Sequence, residues 1–259
     1  MAKALELIGE VVQDPVRLFW DAVETGNPLH GGGGEVGDRR NKKMASIESE
    51  RNEEVVGQLS SEQKARLDEV MKQAALSLQS DELLNKAAAG KLQAGNYYFY
   101  VQGDLYNYTK GPLTTTTDVQ QQYSGSVLID YTNPLKPSSN NKAGTGSFTM
   151  AGDGSVEAAV VYFGKNDKGD QDCAWLIGFN INTTTKPEKL QVYVFCGPLI
   201  NSVINFINPN WAEIKTKIER GGQVGFYKDD QTVTNVYAGV AATDPSMPGR
   251  YSVSIAFDL

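Results

Sequence analysis

Apolar side chains in residues 4–24 recur at the spacing of an amphipathic helix. Leu5, Ile8, Val12, Phe19 and Val23 fall near one face, and Leu18 and Trp20 widen the stripe. Glu6, Glu10, Asp14, Asp21 and Glu24 occupy much of the rest. Pro15 ends or kinks this helix, or opens a second one with Asp14 as its N-cap. A face of this kind either packs on the rest of the chain or leaves it for an interface or a membrane. Residues 26–43 follow with Asn27-Pro28 and four consecutive glycines, the composition of a flexible linker. Ser60-Ser61-Glu62-Gln63 then carries a capping-box signature, with Ser60 as N-cap. Leu67, Val70, Met71, Ala74, Ala75 and Leu78 continue it as a helix. A shorter run, capped by Ser80, ends at Gly90.

Beyond Gly95 the chain changes texture and becomes rich in Tyr, Thr and Val, with turn residues every ten or so positions. Strands are predicted over 97–106, 121–131, 147–150, 156–163, 173–181, 190–196, 232–240 and 251–257. One helix interrupts them at 211–220, with Asn208 as cap and Pro209 opening it. Asp229-Asp230 reads as a hairpin turn. The expected fold is an all-β antiparallel sandwich with one inserted helix, preceded by an α-helical N-terminal arm, so α+β overall. Four segments result: an amphipathic helix (1–25), a linker (26–59), a helical segment (60–95) and the β-sandwich module (96–259). A hairpin symmetric about residues 184 and 185 sets Cys173 opposite Cys196, Trp175 opposite Val194 and Ile177 opposite Val192.

Composition narrows the chemistry. A net charge of −7 over 259 residues repels phosphate backbones, and the one dense basic run, Arg39 to Lys43, reads as a solvated linker face, so no nucleic-acid partner is expected. A single histidine, His30, sits beside the glycine run, where a general base has no fixed position. Two cysteines, expected reduced and buried, complete no zinc cluster. Asp167, Asp170 and Asp172 lack the spacing of a calcium loop and read as solvated turn residues. No catalytic residue, metal site or cofactor is therefore expected, and the chain reads as a non-enzyme that works through a surface. The N-terminus lacks the basic and continuous apolar regions of a secretory signal, so synthesis in the cytoplasm is expected, with action at target-cell membranes requiring release by another route.

One family pattern follows the β signals. Leu105-Tyr106-Asn107-Tyr108-Thr109-Lys110 through Pro112-Leu113, then Ser124-Gly125-Ser126, then Gly144-Thr145-Gly146-Ser147-Phe148-Thr149-Met150 recur in an order similar to actinoporin-type pore-forming toxins. Val160-Val161-Tyr162, the strand from Ala174 to Ile181, the strand from Leu190 to Phe195 and the closing strand from Tyr251 to Phe257 extend that resemblance, which spans residues 97–259. It implies a β-sandwich flanked by helices, with an N-terminal amphipathic helix that detaches and lines a membrane pore. Leu5, Ile8, Val12, Leu18, Phe19, Trp20 and Val23 would form its inserting face. Fungal fruit-body lectins resemble the same fold and bind glycans. The family's aromatic phosphocholine loop should fall near residues 180–189, where this chain has no Tyr or Trp. Tyr106, Tyr108, Tyr123, Tyr131 and Tyr227 are the candidate ligand or glycan contacts, each set against the alternative of an ordinary half-buried strand aromatic. The expected partners are a lipid membrane or a glycan receptor, with a homo-oligomer as the working form. A self-assembling structural or coat protein is the third reading.

Overall fold

The computed structural model describes residues 60–80, 99–140, 142–200, 203–242 and 249–259. The amphipathic stripe from Leu5 to Val23, the linker and the run beyond Ser80 lie outside the described residues.

A helix, α1 (Ser61–Ser80), precedes ten strands. These are β1 (Phe99–Asn107), β2 (Gln120–Ser124), β3 (Ser126–Ile129), β4 (Gly144–Gly152), β5 (Ser155–Lys165), β6 (Asp172–Asn182), β7 (Lys189–Pro198), β8 (Val224–Asp229), β9 (Thr234–Ala242) and β10 (Arg250–Asp258). A second helix, α2 (Trp211–Ile218), lies between β7 and β8. The strands build two packed sheets, one in the order β3-β4-β1-β10-β9-β8, the other β2-β5-β6-β7.

Alternation explains the core. Phe99, Val101 and Leu105 of β1 face inward with Val253, Ile255 and Phe257 of β10. Opposite them stand Val160, Tyr162, Trp175, Ile177 and Phe179 of the smaller sheet. Phe148 stacks on Phe179 with centroids 5.5 Å apart, and Tyr162 and Trp175 both meet Phe257. Trp175, Tyr162, Phe148, Phe179 and Phe257 are almost fully buried. Each contributes about 2–3 kcal/mol of transfer free energy, which makes this the main source of stability.

Both outer faces carry a helix. Leu67 and Met71 of α1 pack on Tyr106, Val224, Tyr237 and Ala256 of the larger sheet. Ile214 and Ile218 of α2 pack on Ala159, Val161, Ala174 and Leu176 of the smaller one. The capping box at α1 forms as the sequence reads: the Ser60 amide donates to Gln63 Oε1 at 2.8 Å, and the Gln63 amide donates to Ser60 Oγ at 3.2 Å.

Four expectations need correction. The sandwich is not wholly antiparallel, because β1 and β10 pair in parallel, Tyr100 beside Arg250 and Asn107 beside Phe257. These strands open and close the module, so no hairpin fixes their direction. The expected strand over 121–131 breaks at Gly125, whose φ of +86° turns the chain from the smaller sheet into the larger. Asn210, not Asn208, caps α2, accepting from the Glu213 amide at 3.3 Å. Cys173 faces Pro198 and Cys196 faces Trp175, a slip of two residues that leaves both thiols in the core.

Candidate functional site

Strand register gathers one set of loops at one end of the sandwich. Asn107 of β1 lies beside Gly144 of β4 and Phe257 of β10, Asp258 beside Asn235 of β9, and Asp229 of β8 beside Thr234. Lys165 and Asp172 pair at the same end of the smaller sheet, as do Cys173 and Pro198. The two sheets meet there through a bond from Trp175 Nε1 to the Asn235 carbonyl at 3.2 Å.

This end displays branched aliphatic side chains. Ile200, Val203 and Ile207, in the segment between β7 and α2, are 65%, 48% and 55% exposed, and Val233 in the β8–β9 turn is 54% exposed. Alternation sets Val203 and Ile207 outward: Ile204 and Phe206 turn inward, Phe206 onto Phe195. Val233 is held out by strain. Its φ of +56° is a genuine outlier for a β-branched residue. The turn is pinned on either side: Asp229 Oδ2 accepts from the Thr232 amide at 2.7 Å and its hydroxyl at 2.6 Å, and that hydroxyl lies 2.8 Å from Thr234 Oγ1.

At the other side of the same end, a trough runs between α1, the start of β4 and the loop 131–139. A cleft of about 710 Å³ is lined by Glu62, Arg66, Glu69, Tyr106 and Tyr108. A second of about 380 Å³, lined by Thr132, Lys136 and Ser139, shares Lys142, Ala143 and Thr145 with it. Arg66 lies 4.1 Å from the Tyr108 ring centre and 3.4 Å from Asp258 Oδ2, which fixes α1 against the ends of the strands. Burial pushes both tyrosine hydroxyls above their usual range, so they remain protonated donors.

Of the five candidate tyrosines, Tyr106 and Tyr108 share this trough, and the other three lie elsewhere. Tyr123 sits beneath α2, its hydroxyl donating to the Trp211 carbonyl at 2.6 Å. Tyr131 is a core residue, its ring 4.6 Å from that of Phe148. Tyr227 stacks on Phe195 at 4.1 Å. The expected membrane-inserting residues from Leu5 to Val23 fall outside the described residues. The apolar loop was not singled out in the sequence, although its Leu-Ile…Val-Ile…Phe-Ile pairs were visible there.

The remaining reactive groups are quiet. Desolvation raises the Cys173 thiol to about 11 and Cys196 to about 12, which removes thiolate at neutral pH. Asp167 pairs with Lys110 at 2.5 Å, Asp172 with Lys165 at 2.6 Å, and Asp170 accepts from Asn166 at 2.7 Å. Among the described residues, no helix is long and apolar enough to cross a membrane.

No family model matches the chain. A jasmonate-induced protein homolog of Atriplex canescens is 37% identical over 111 residues, covering 42% of this chain. The match spans 54% of that relative, about half its length. Among solved structures, the lipid binding protein Nakanori is similar with a TM-score of 0.46 and 14% identity, over 73% of this chain and 88% of that one.

Proposed function

We infer that this protein is a lipid-surface-binding β-sandwich that docks by its loop end, and whose N-terminal amphipathic segment then enters the bilayer and oligomerises into a pore. The observation that carries the reading is the display of Ile200, Val203, Ile207 and Val233 at one end of a rigid body. Magnitudes set the mechanism. Half-exposed aliphatic side chains gain about 1 kcal/mol each on entering an apolar phase, about 4 kcal/mol in all, or roughly millimolar affinity. That resembles a single lipid anchor, which binds membranes only transiently. A second element is required, and the Leu5 to Val23 face supplies it in this reading.

The test is dye release from lipid vesicles by the full chain and by a chain lacking residues 1–26. Release by the full chain, lost in the shortened one, supports the reading. Equal release by both would remove the arm from the mechanism. A second reading, carbohydrate binding, has its own support in the pairing of Tyr106 and Tyr108 in one trough, and a glycan screen without binding would count against it.

A further inference from the structure

The smaller half of the trough stands out electrostatically. In a chain of net charge −7, Lys136 and Lys142 line one pocket whose walls contain no carboxylate. Three other lysines at this end are neutralised: Lys110 by Asp167, Lys165 by Asp172 and Lys228 by Asp230. Neither Lys136 nor Lys142 has an ion-pair partner among the described residues. Thr132, Ser139 and Thr145 add hydroxyls to the same walls. Two ammonium groups with hydroxyl neighbours and no counter-charge suit an oxyanion that accepts several hydrogen bonds.

The backbone beneath is fixed. Asn107, fully buried, donates through Nδ2 to the carbonyls of Lys136 at 2.9 Å, Leu135 at 3.3 Å and Gly111 at 3.0 Å. Its Oδ1 accepts from the Thr109 amide at 2.9 Å. Ser139 and Lys142 exchange two backbone bonds, each 2.9 Å. Gly144 lets β4 pass so close that an added Cβ would lie 1.8 Å from the Lys136 carbonyl oxygen. Both lysines therefore rise from a clamped loop, and binding need not order it. The pocket opens directly into the larger cleft, where Glu62, Arg66, Glu69 and the tyrosine hydroxyls form a mixed polar lining suited to the hydroxyl groups of a polyol.

We propose that Lys136 and Lys142 form a phosphate-recognition site, and that the adjoining cleft receives the hydroxyl-bearing remainder of a phosphorylated polyol, either free or as a lipid headgroup. The site deepens the membrane reading by naming a headgroup chemistry, but its soluble form does not need a membrane.

The test is calorimetric titration of the full chain with myo-inositol 1,4,5-trisphosphate, myo-inositol and inorganic phosphate. Flotation with phosphatidylcholine vesicles, with and without phosphatidylinositol phosphate, accompanies it. The trisphosphate should bind, more weakly as salt rises, and myo-inositol at least about tenfold more weakly. Lys136→Gln with Lys142→Gln should lower affinity about tenfold or more, with an unchanged melting curve, while Lys165→Gln should leave it unchanged. Binding of the soluble ligand alone assigns a free phosphorylated polyol, and phosphate-dependent flotation alone assigns a lipid headgroup. No phosphate-dependent binding in either arm, or full binding by the double variant, overturns the site. Flotation that needs no phosphoinositide leaves the membrane reading standing without it.

Discussion

Val233 combines strain and exposure at one position. A left-handed β-branched residue stores on the order of 1–3 kcal/mol. Glycine takes that conformation freely but carries a larger unfolded-state entropy, so Val233→Gly should stabilise the fold by about 1 kcal/mol, read as a shifted urea midpoint. The same change should weaken vesicle binding. A stability gain without that loss would separate the turn from docking. Nothing in Thr232-Val233-Thr234 signals a left-handed residue in the sequence, because the conformation comes from Asp229 and the two threonine hydroxyls acting together. Glu157 makes a pH prediction. It is 5% exposed, Oε2 accepts from Lys215 at 2.7 Å, and Oε1 has no partner. Desolvation raises its pKa, against the opposing pull of Lys215. The folded state then holds the proton more tightly than the unfolded one, so this contribution is full below the ordinary carboxylate value and fades as pH rises through the folded value. The unfolding free energy of wild type minus that of Glu157→Gln should fall over that interval; a rise would make the Lys215 pair the dominant effect.

At the scale of elements, α2 is fixed to the smaller sheet by Ile214 and Ile218 and by Lys215 reaching Glu157 of β5. Ile218 is fully buried, so Ile218→Ala should cost about 2–4 kcal/mol in chemical denaturation. A cost below about 1 kcal/mol would mean that α2 is only loosely held. The long strands were legible because their apolar residues run continuously or alternate, as in Trp175 to Ile181. β8 lies outside the expected strands: Val224-Gly225-Phe226-Tyr227-Lys228 is short, contains Gly225 and follows Gly221-Gly222, and it is a strand because β9 offers an edge. The β6–β7 register lies two residues from the expected one because Pro187 and Glu188 remain in the turn, so that Asn182 pairs with Lys189. A two-residue slip keeps side chains on the same face, so the core assignment survived it.

For the whole molecule, the sandwich and its inserted helix could be read from local pattern, but the order of strands could not. The parallel β1–β10 pair joins segments some 150 residues apart, so no local signal specifies it. The candidate surface was hidden for the same reason: the β7–α2 segment, the β8–β9 turn and the trough are distant in sequence and meet only when strand ends align. In the proposed reading this surface joins a weak apolar contact to a phosphate-binding trough, and neither element alone supports lasting attachment. Liposome flotation of the full chain against the triple variant Ile200→Ser, Val203→Ser, Ile207→Ser weighs the apolar contact directly. The account predicts that wild type floats and the folded variant loses most of its bound fraction; equal flotation of the two would contradict it.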